Sequence, residues 1–344
     1  NIKIKAGTEA NLTNGSFTAQ TKEGLAQTKL SAGGDVKIDA NLTSKSANGT
    51  ASTSISSTAE NVQIDNSKVT AVASKDASVL IDAAKQVTGT NDTIKANSTG
   101  TGTATATLQA GKSIVLDKTN VEVTAVNGNA ATDIWTTGAV TLNDSAVKAT
   151  TQQGDAFNTI SASDEVALKN STLEASSAAK GNAYLDINTG KDITLDNSTA
   201  TARAANGNAR AIVSNNAGDI NLNRAVVLTQ SNGTGYAQSV VKSTNGDISL
   251  KAGSLVDATA NNGAAAAAMT AGKEITVQGS GIDAASQNGN AYVDVKAGTD
   301  LTVDHGAFNA QTEEGLAQTI LSAGGDAKIE AYVTSTSQNG DAAA

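Results

Sequence analysis

The chain has no cysteine and no proline, one methionine, one tryptophan, one histidine, three phenylalanines and four tyrosines in 344 residues. Each scarcity excludes something. Without cysteine there are neither disulfides nor thiolate metal sites, and a chain lacking thiols can cross a membrane unfolded without forming wrong disulfides. Without proline every residue keeps a backbone donor, which suits uninterrupted strand pairing. With so few aromatics a thick globular interior is out of reach. No apolar run is long enough to cross a bilayer as a helix. The net charge of −9 removes the phosphate attraction that nucleic-acid binders depend on. Alanine, valine, isoleucine and leucine are present in ordinary amounts beside 32 glycines. That mixture suits many thin, similar layers.

The layers announce themselves by repetition. Residues 6–49 return at 297–340 with a constant offset of 291 residues (297 minus 6). Phe17, Glu23-Gly24-Leu25-Ala26-Gln27-Thr28 and Leu30-Ser31-Ala32-Gly33-Gly34-Asp35 reappear as Phe308, Glu314 to Thr319 and Leu321 to Asp326. A shorter period of about 26–28 residues runs beneath this one. In residues 190–213 it holds three alternating segments separated by turn residues, and alternation with period two marks strands with one buried face. The first segment gives inward pairs such as Val36/Ile38, Val62/Ile64, Ile114/Leu116, Val140/Leu142, Ile193/Leu195 and Ile275/Val277. The second gives Val69/Ala71, Val121/Val123 and Ile282/Ala284, with Phe17 and Phe308 in the same inward slot. The third gives Ala183/Leu185/Ile187, Ala209/Ala211/Val213 and Ala291/Val293/Val295.

Asn-Gly steps at 48–49, 127–128, 206–207, 232–233, 262–263, 288–289 and 339–340 fall between the second and third segments, where residues tolerant of positive φ are expected. In a hairpin protein these steps would mean antiparallel strands. Here each segment matches its counterpart one period away, so pairing is parallel. The predicted fold is an all-β parallel β-helix (solenoid) with three short strands per coil, forming one continuous segment over residues 1–344 and reading as an excerpt of a longer array. Two irregularities stand out. Gly89 replaces an inward leucine and predicts a void or a pinched layer, and Lys251-Ala252-Gly253 carries one extra residue that moves the inward pair to Val256/Ala258.

The cadence Val140-Thr141-Leu142-Asn143-Asp144-Ser145-Ala146-Val147-Lys148-Ala149 resembles the shaft repeats of filamentous-haemagglutinin-like adhesins, large exoproteins of Gram-negative bacteria exported by two-partner secretion. The likeness extends along the whole chain. It implies a right-handed β-helical shaft on the outer cell surface or in an extracellular biofilm matrix. It further implies adhesion to cells or glycans, with the array itself, glycans and cell-surface receptors as partners. It carries over no catalytic residue.

Two surface features are candidate sites. Glu165, Asp192, Asp219, Asp247, Glu274, Asp300 and Asp326 precede the first segment in successive coils and form an acidic column. Stacked carboxylates repel unless Ca²⁺ bridges them, lysines such as Lys191 and Lys273 offset them, or turn amides engage them. Phe157 and Tyr184 fall at the same outward position of third segments in consecutive coils, Trp135 points outward nearby, and Tyr292 is alone in the equivalent place. They form either a sugar-binding or docking strip or a stabilising cross-strand ladder. His305 falls in a turn and is expected to lack partners for catalysis or metal binding. Arg203 and Arg210 share one coil and offer a poor pocket for the enzymatic alternative, a β-helical polysaccharide lyase or hydrolase, which needs acids and bases gathered in a loop-built groove. No catalytic residue and no resident cofactor other than Ca²⁺ is expected. The leading expectation is a structural, non-enzymatic shaft.

Overall fold

The computed structural model describes residues 1–344, which are all β, 71% strand and without helix, wound as a parallel β-solenoid of about 13 turns with roughly 26 residues per coil. Two compact units divide it, residues 1–164 and 165–344. In the first unit the third-segment strands Ile2–Ala6, Leu25–Ala32, Thr50–Ser57, Ala77–Ala83, Ala104–Ala110, Ala130–Thr136 and Ala156–Ala162 follow one another in one sheet, each parallel to the next. In the second unit Ala183–Thr189, Ala209–Asn215, Ala237–Ser243, Ala265–Ala271, Ala291–Ala297 and Ala317–Ala323 do the same. First and second segments make up the other sheet in each unit.

Register follows the sequence period. Ala183 lies beside Ala209, Ile193 beside Ile220 and Ile220 beside Ile248, steps of 26, 27 and 28 residues (209 − 183, 220 − 193, 248 − 220). Stacking like on like puts every inward pair named above in the core, and Phe308 is fully buried. Burying one aliphatic side chain is worth roughly 1.5–3 kcal/mol, so a few per coil offset much of the ordering cost. Phe17 is only partly buried because it is covered by Leu42 on one side alone.

Three corners turn each coil, and each has its own chemistry. At the first corner, between first and second segments, most coils place a residue in the left-handed conformation. Asn66, Asn91, Lys118 and Asp144 do so in the first unit, and Asn170, Asn197, Arg224 and Ala252 in the second, with φ between 47° and 58°. Asparagine bears this conformation at low cost, and lysine, arginine and alanine do not. Just inside this corner a column of buried hydroxyls closes the backbone. Ser145 accepts from the Thr119 N–H at 3.1 Å and donates to the Asn143 carbonyl at 2.7 Å; Ser198 accepts from Ser171 N–H at 3.0 Å and donates to Asp196 at 2.9 Å. In Ala10–Thr21 and Leu301–Thr312 the corner opens into a bulge and the two segments run together as a single strand.

At the second corner the Asn-Gly glycines do not take positive φ, contrary to the sequence expectation. Close approach is the reason for glycine instead. A Cβ added to Gly49 would overlap the Gly24 carbonyl oxygen, and one on Gly207 would overlap that of Gly181. The same turns are tied by hydroxyls such as Ser46 to Gly24 and Ser231 to Gly207, both at 2.8 Å.

The two irregularities resolve differently. Ala252 and Gly253 both adopt positive φ and absorb the extra residue, leaving Val256 and Ala258 buried as expected. Gly89 lies between Ile64 and Leu116, and the space a side chain would fill is taken by Leu116 Cδ2 together with the Asp92 carboxyl and the Thr119 hydroxyl. Asp92 occupies the hydroxyl column, where its Oδ1 accepts from the Ser67 N–H at 2.8 Å. Its Oδ2 is buried without a hydrogen-bond partner. An acid thus helps to fill the expected void.

Candidate functional site

The acidic column is the third corner, and its carboxylates face the backbone of the next coil. Asp192 Oδ1 accepts from the Asp219 N–H at 2.8 Å, Asp219 from Asp247 at 2.9 Å, Asp247 from Glu274 at 3.0 Å and Asp300 from Asp326 at 2.9 Å. Glu274, longer by a methylene, accepts from the Thr276 hydroxyl at 3.0 Å. A glycine precedes most of these aspartates for the same reason: a Cβ on Gly218 would collide with Asp192 Oδ1. Turn amides one coil away thus engage the column. The Asp219→Ala variant should lose about 1–2 kcal/mol of stability, because the Asp247 N–H loses its acceptor, while Asp219→Asn should stay within about 0.5 kcal/mol. Adding calcium to metal-free protein should move the unfolding midpoint of neither.

Trp135 and Phe157, both outward in the first unit, occupy different strand positions. Trp135, 39% exposed, lies between Gln109 and Ser161, and Phe157 lies beside Ala131. Trp135 and Phe157 are therefore four residues apart along the strand direction, about 13 Å at 3.3 Å per residue. Tyr184, in the second unit, lies beside Arg210. Tyr292 is anchored by Asn290, which donates to its hydroxyl at 2.6 Å. Arg203 and Arg210 lie in different sheets and each faces a carboxylate, Glu174 at 3.8 Å and Asp186 at 3.6 Å.

Two groupings were not foreseen. Asp257 and Asp283 are register partners on the outer face of second segments and line a shallow groove of about 300 Å³ with Asn309 and Thr334. Burial, reinforced by the neighbouring Asp283 charge, pushes the Asp257 carboxyl up to about 6. Burial raises Asp283 as well, opposed by the Asn309 amide that donates to it at 2.8 Å. Such a pair can hold and release a proton near neutrality.

The other grouping surrounds His305, and here the sequence expectation of no partners is overturned. His305 is the extra residue of the bulge in Leu301–Thr312, with φ 54°. Asp304 sits beside Glu330 in the next coil, and the imidazole lies between them, with Nδ1 2.5 Å from Asp304 Oδ1 and Nε2 3.7 Å from Glu330 Oε1. The Asp304 hydrogen bond and both carboxylate charges hold the imidazole above its ordinary value. The signal was available: Asp304 and Glu330 are separated by 26 residues (330 − 304), one coil.

These features define a parallel β-solenoid repeat protein whose corners are closed by side-chain ladders. No family model matches the chain, and neither a curated protein nor a solved structure does.

Proposed function

We propose that the chain is a structural shaft segment of a secreted or cell-surface bacterial adhesin of the filamentous-haemagglutinin type, serving adhesion, aggregation or biofilm formation. One observation carries this reading: near-identical coils are joined by connections of at most five residues (99–103 and 232–236 are the longest). A block of this architecture is copied at an offset of 291 residues (297 − 6). Copying a block of coils extends reach, and each coil needs only its neighbours for stability. An enzyme gains nothing by duplicating its scaffold. Solvent-facing aromatics such as Trp135 are contact positions suited to the apolar faces of sugars. Antibodies against the purified chain test the location. On this reading they label intact, unpermeabilised producer cells or the surrounding matrix. Labelling only after permeabilisation contradicts it.

A second reading, a polysaccharide-degrading β-helix, draws support from Asp257 and Asp283 in their groove. It requires that acidic polysaccharides be cleaved and that Asp257→Asn abolish the cleavage. The shaft reading requires that none be cleaved.

A further inference from the structure

We propose that the bulge at residues 304–306 builds a divalent-metal site of the zinc type, with His305 Nε2 and Glu330 Oε1 as protein ligands and Asp304 as the carboxylate that orients the imidazole. Pairing between Leu301–Thr312 and Ala327–Ser337 runs in register up to Asp304 opposite Glu330, resumes at Gly306 opposite Ala331, and leaves His305 as the extra residue. A bulge re-aims a side chain that regular pairing would direct elsewhere. Here it swings the imidazole over the end of the Asp304–Glu330 rung, so that one nitrogen faces each carboxylate. One ligand atom from each of the three residues lies within 4.8 Å of the other two.

The two nitrogens are not equivalent. Nδ1 is in close hydrogen-bond contact with Asp304 Oδ1, and Asp304 is itself held in place: its Oδ2 accepts from the Gln278 amide at 3.4 Å and its carbonyl accepts from the Gly279 N–H at 2.9 Å. A proton on Nδ1 satisfies that contact and leaves Nε2 as the lone-pair donor. Nε2 then faces Glu330 Oε1 across 3.7 Å, too far for a hydrogen bond. Two ligands about 2.0–2.1 Å from a tetrahedral ion stand about 3.3 Å apart, so a shift of a few tenths of an ångström by two exposed side chains closes the site. Carboxylate to Nδ1–H, with the metal on Nε2, is the arrangement in which an outer carboxylate fixes the tautomer and raises ligand basicity. Nitrogen and oxygen donors without sulfur suit zinc and its neighbours, with water completing the coordination.

The long repeat supplies an internal control. Subtracting 291 places Thr13, Asn14 and Asp39 at the positions of Asp304, His305 and Glu330. The same bulge is present there, with Thr13 opposite Asp39, Gly15 opposite Ala40 and Asn14 at φ 51°. The bulge is thus common to both copies, and the ligands belong to one. Asparagine at this φ is already tolerated, so His305→Asn is expected to fold.

The test uses the full chain without a polyhistidine tag, zinc ion as the probe, and ¹⁵N NMR of the imidazole. The chain has one histidine and no cysteine, so a single imidazole reports and no thiolate competes. Expected are a metal-free tautomer with the proton on Nδ1 and saturable binding of one zinc that shifts Nε2. Affinity should fall about 10-fold or more in Glu330→Gln and in Asp304→Asn. Asp304→Asn should also redistribute the tautomers, which a merely structural role would not do. His305→Asn should abolish the saturable phase with the unfolding midpoint unchanged. Zinc binding that survives His305→Asn, an Nδ1-bound ion, or an affinity indifferent to Glu330→Gln each overturns the proposal.

Discussion

Acidification from pH 8 to pH 5 is expected to raise the unfolding midpoint, and Asp92→Asn to remove a large part of that rise by stabilising the protein at the alkaline end. Burial drives the Asp92 carboxyl up to about 7, against lowering by the Ser67 and Thr90 backbone and with a further push from the Asp65 charge. A folded-state value above the unfolded value of about 3.9 means the folded state holds the proton more tightly. The associated stability is complete below about pH 4 and is lost as pH rises through about 7. A displacement of about 3 units sets an upper bound of about 4 kcal/mol between the ends of that window, which solvent screening reduces. Asp257, pushed to about 6, and Asp283, Asp82 and Asp133, raised by burial, slope the same way. Asp196, lowered chiefly by its hydrogen bond from Arg224, slopes the opposite way. Asparagine supplies a neutral group of the same shape where Oδ2 is buried without a partner. A denaturant midpoint measured at pH 5 and pH 8 for both proteins checks it. Parallel pH dependences in wild type and Asp92→Asn would show that Asp92 ionises at an ordinary value.

The second large effect contrasts two glycines that differ in what a Cβ would meet. Gly49→Ala should destabilise by about 2–3 kcal/mol, as overpacking does in a well-packed interior, because the new methyl would overlap the Gly24 carbonyl in the neighbouring coil. Gly281→Ala, where a Cβ meets no backbone atom closer than 3.7 Å and only the flexible Leu255 Cδ1 at 3.3 Å, should stay within about 1 kcal/mol. The chemical change is identical, so the difference isolates coil-to-coil approach. Equal effects would mean that the turns do not stack as closely as described.

Strand positions were the most legible part of the chain because period-two alternation depends only on which face is buried. Val36, Ile64, Leu116 and Val303 could be placed inside from spacing alone, and all are buried. Corners were harder. Asn-Gly located the second corner but suggested positive φ, whereas the glycine is required by the stacked carbonyl beneath it. Among non-glycine residues the left-handed conformation lies at the first corner, where Lys118, Arg224 and Ala252 carry no compositional mark of it. The void expected at Gly89 ignored a residue three places further on, since nothing in the alternation announces that an aspartate will replace a serine in the hydroxyl column. For the sites, the acidic column was found as a list of positions, while its partners, the amides one coil away, emerge only from register. The same holds for His305. Its carboxylates are a neighbour and a residue one period distant, and stacking brings them together. Trp135 and Phe157 share an outward face, and register sets them four positions apart along it.

Parallel stacking with one coil per ladder step underlies every one of these statements, and pulsed EPR tests it directly. The cysteine-free chain accepts spin labels cleanly at Thr194 and Thr276, which are linked through the register partners Asn221 and Ser249. Three ladder steps of about 4.8 Å place the two backbones roughly 15 Å apart, although 82 residues (276 − 194) separate them in sequence. A narrow distribution near that separation, widened by the label arms, is the predicted result. A broad distribution, or a distance several times larger, would contradict the stacked solenoid.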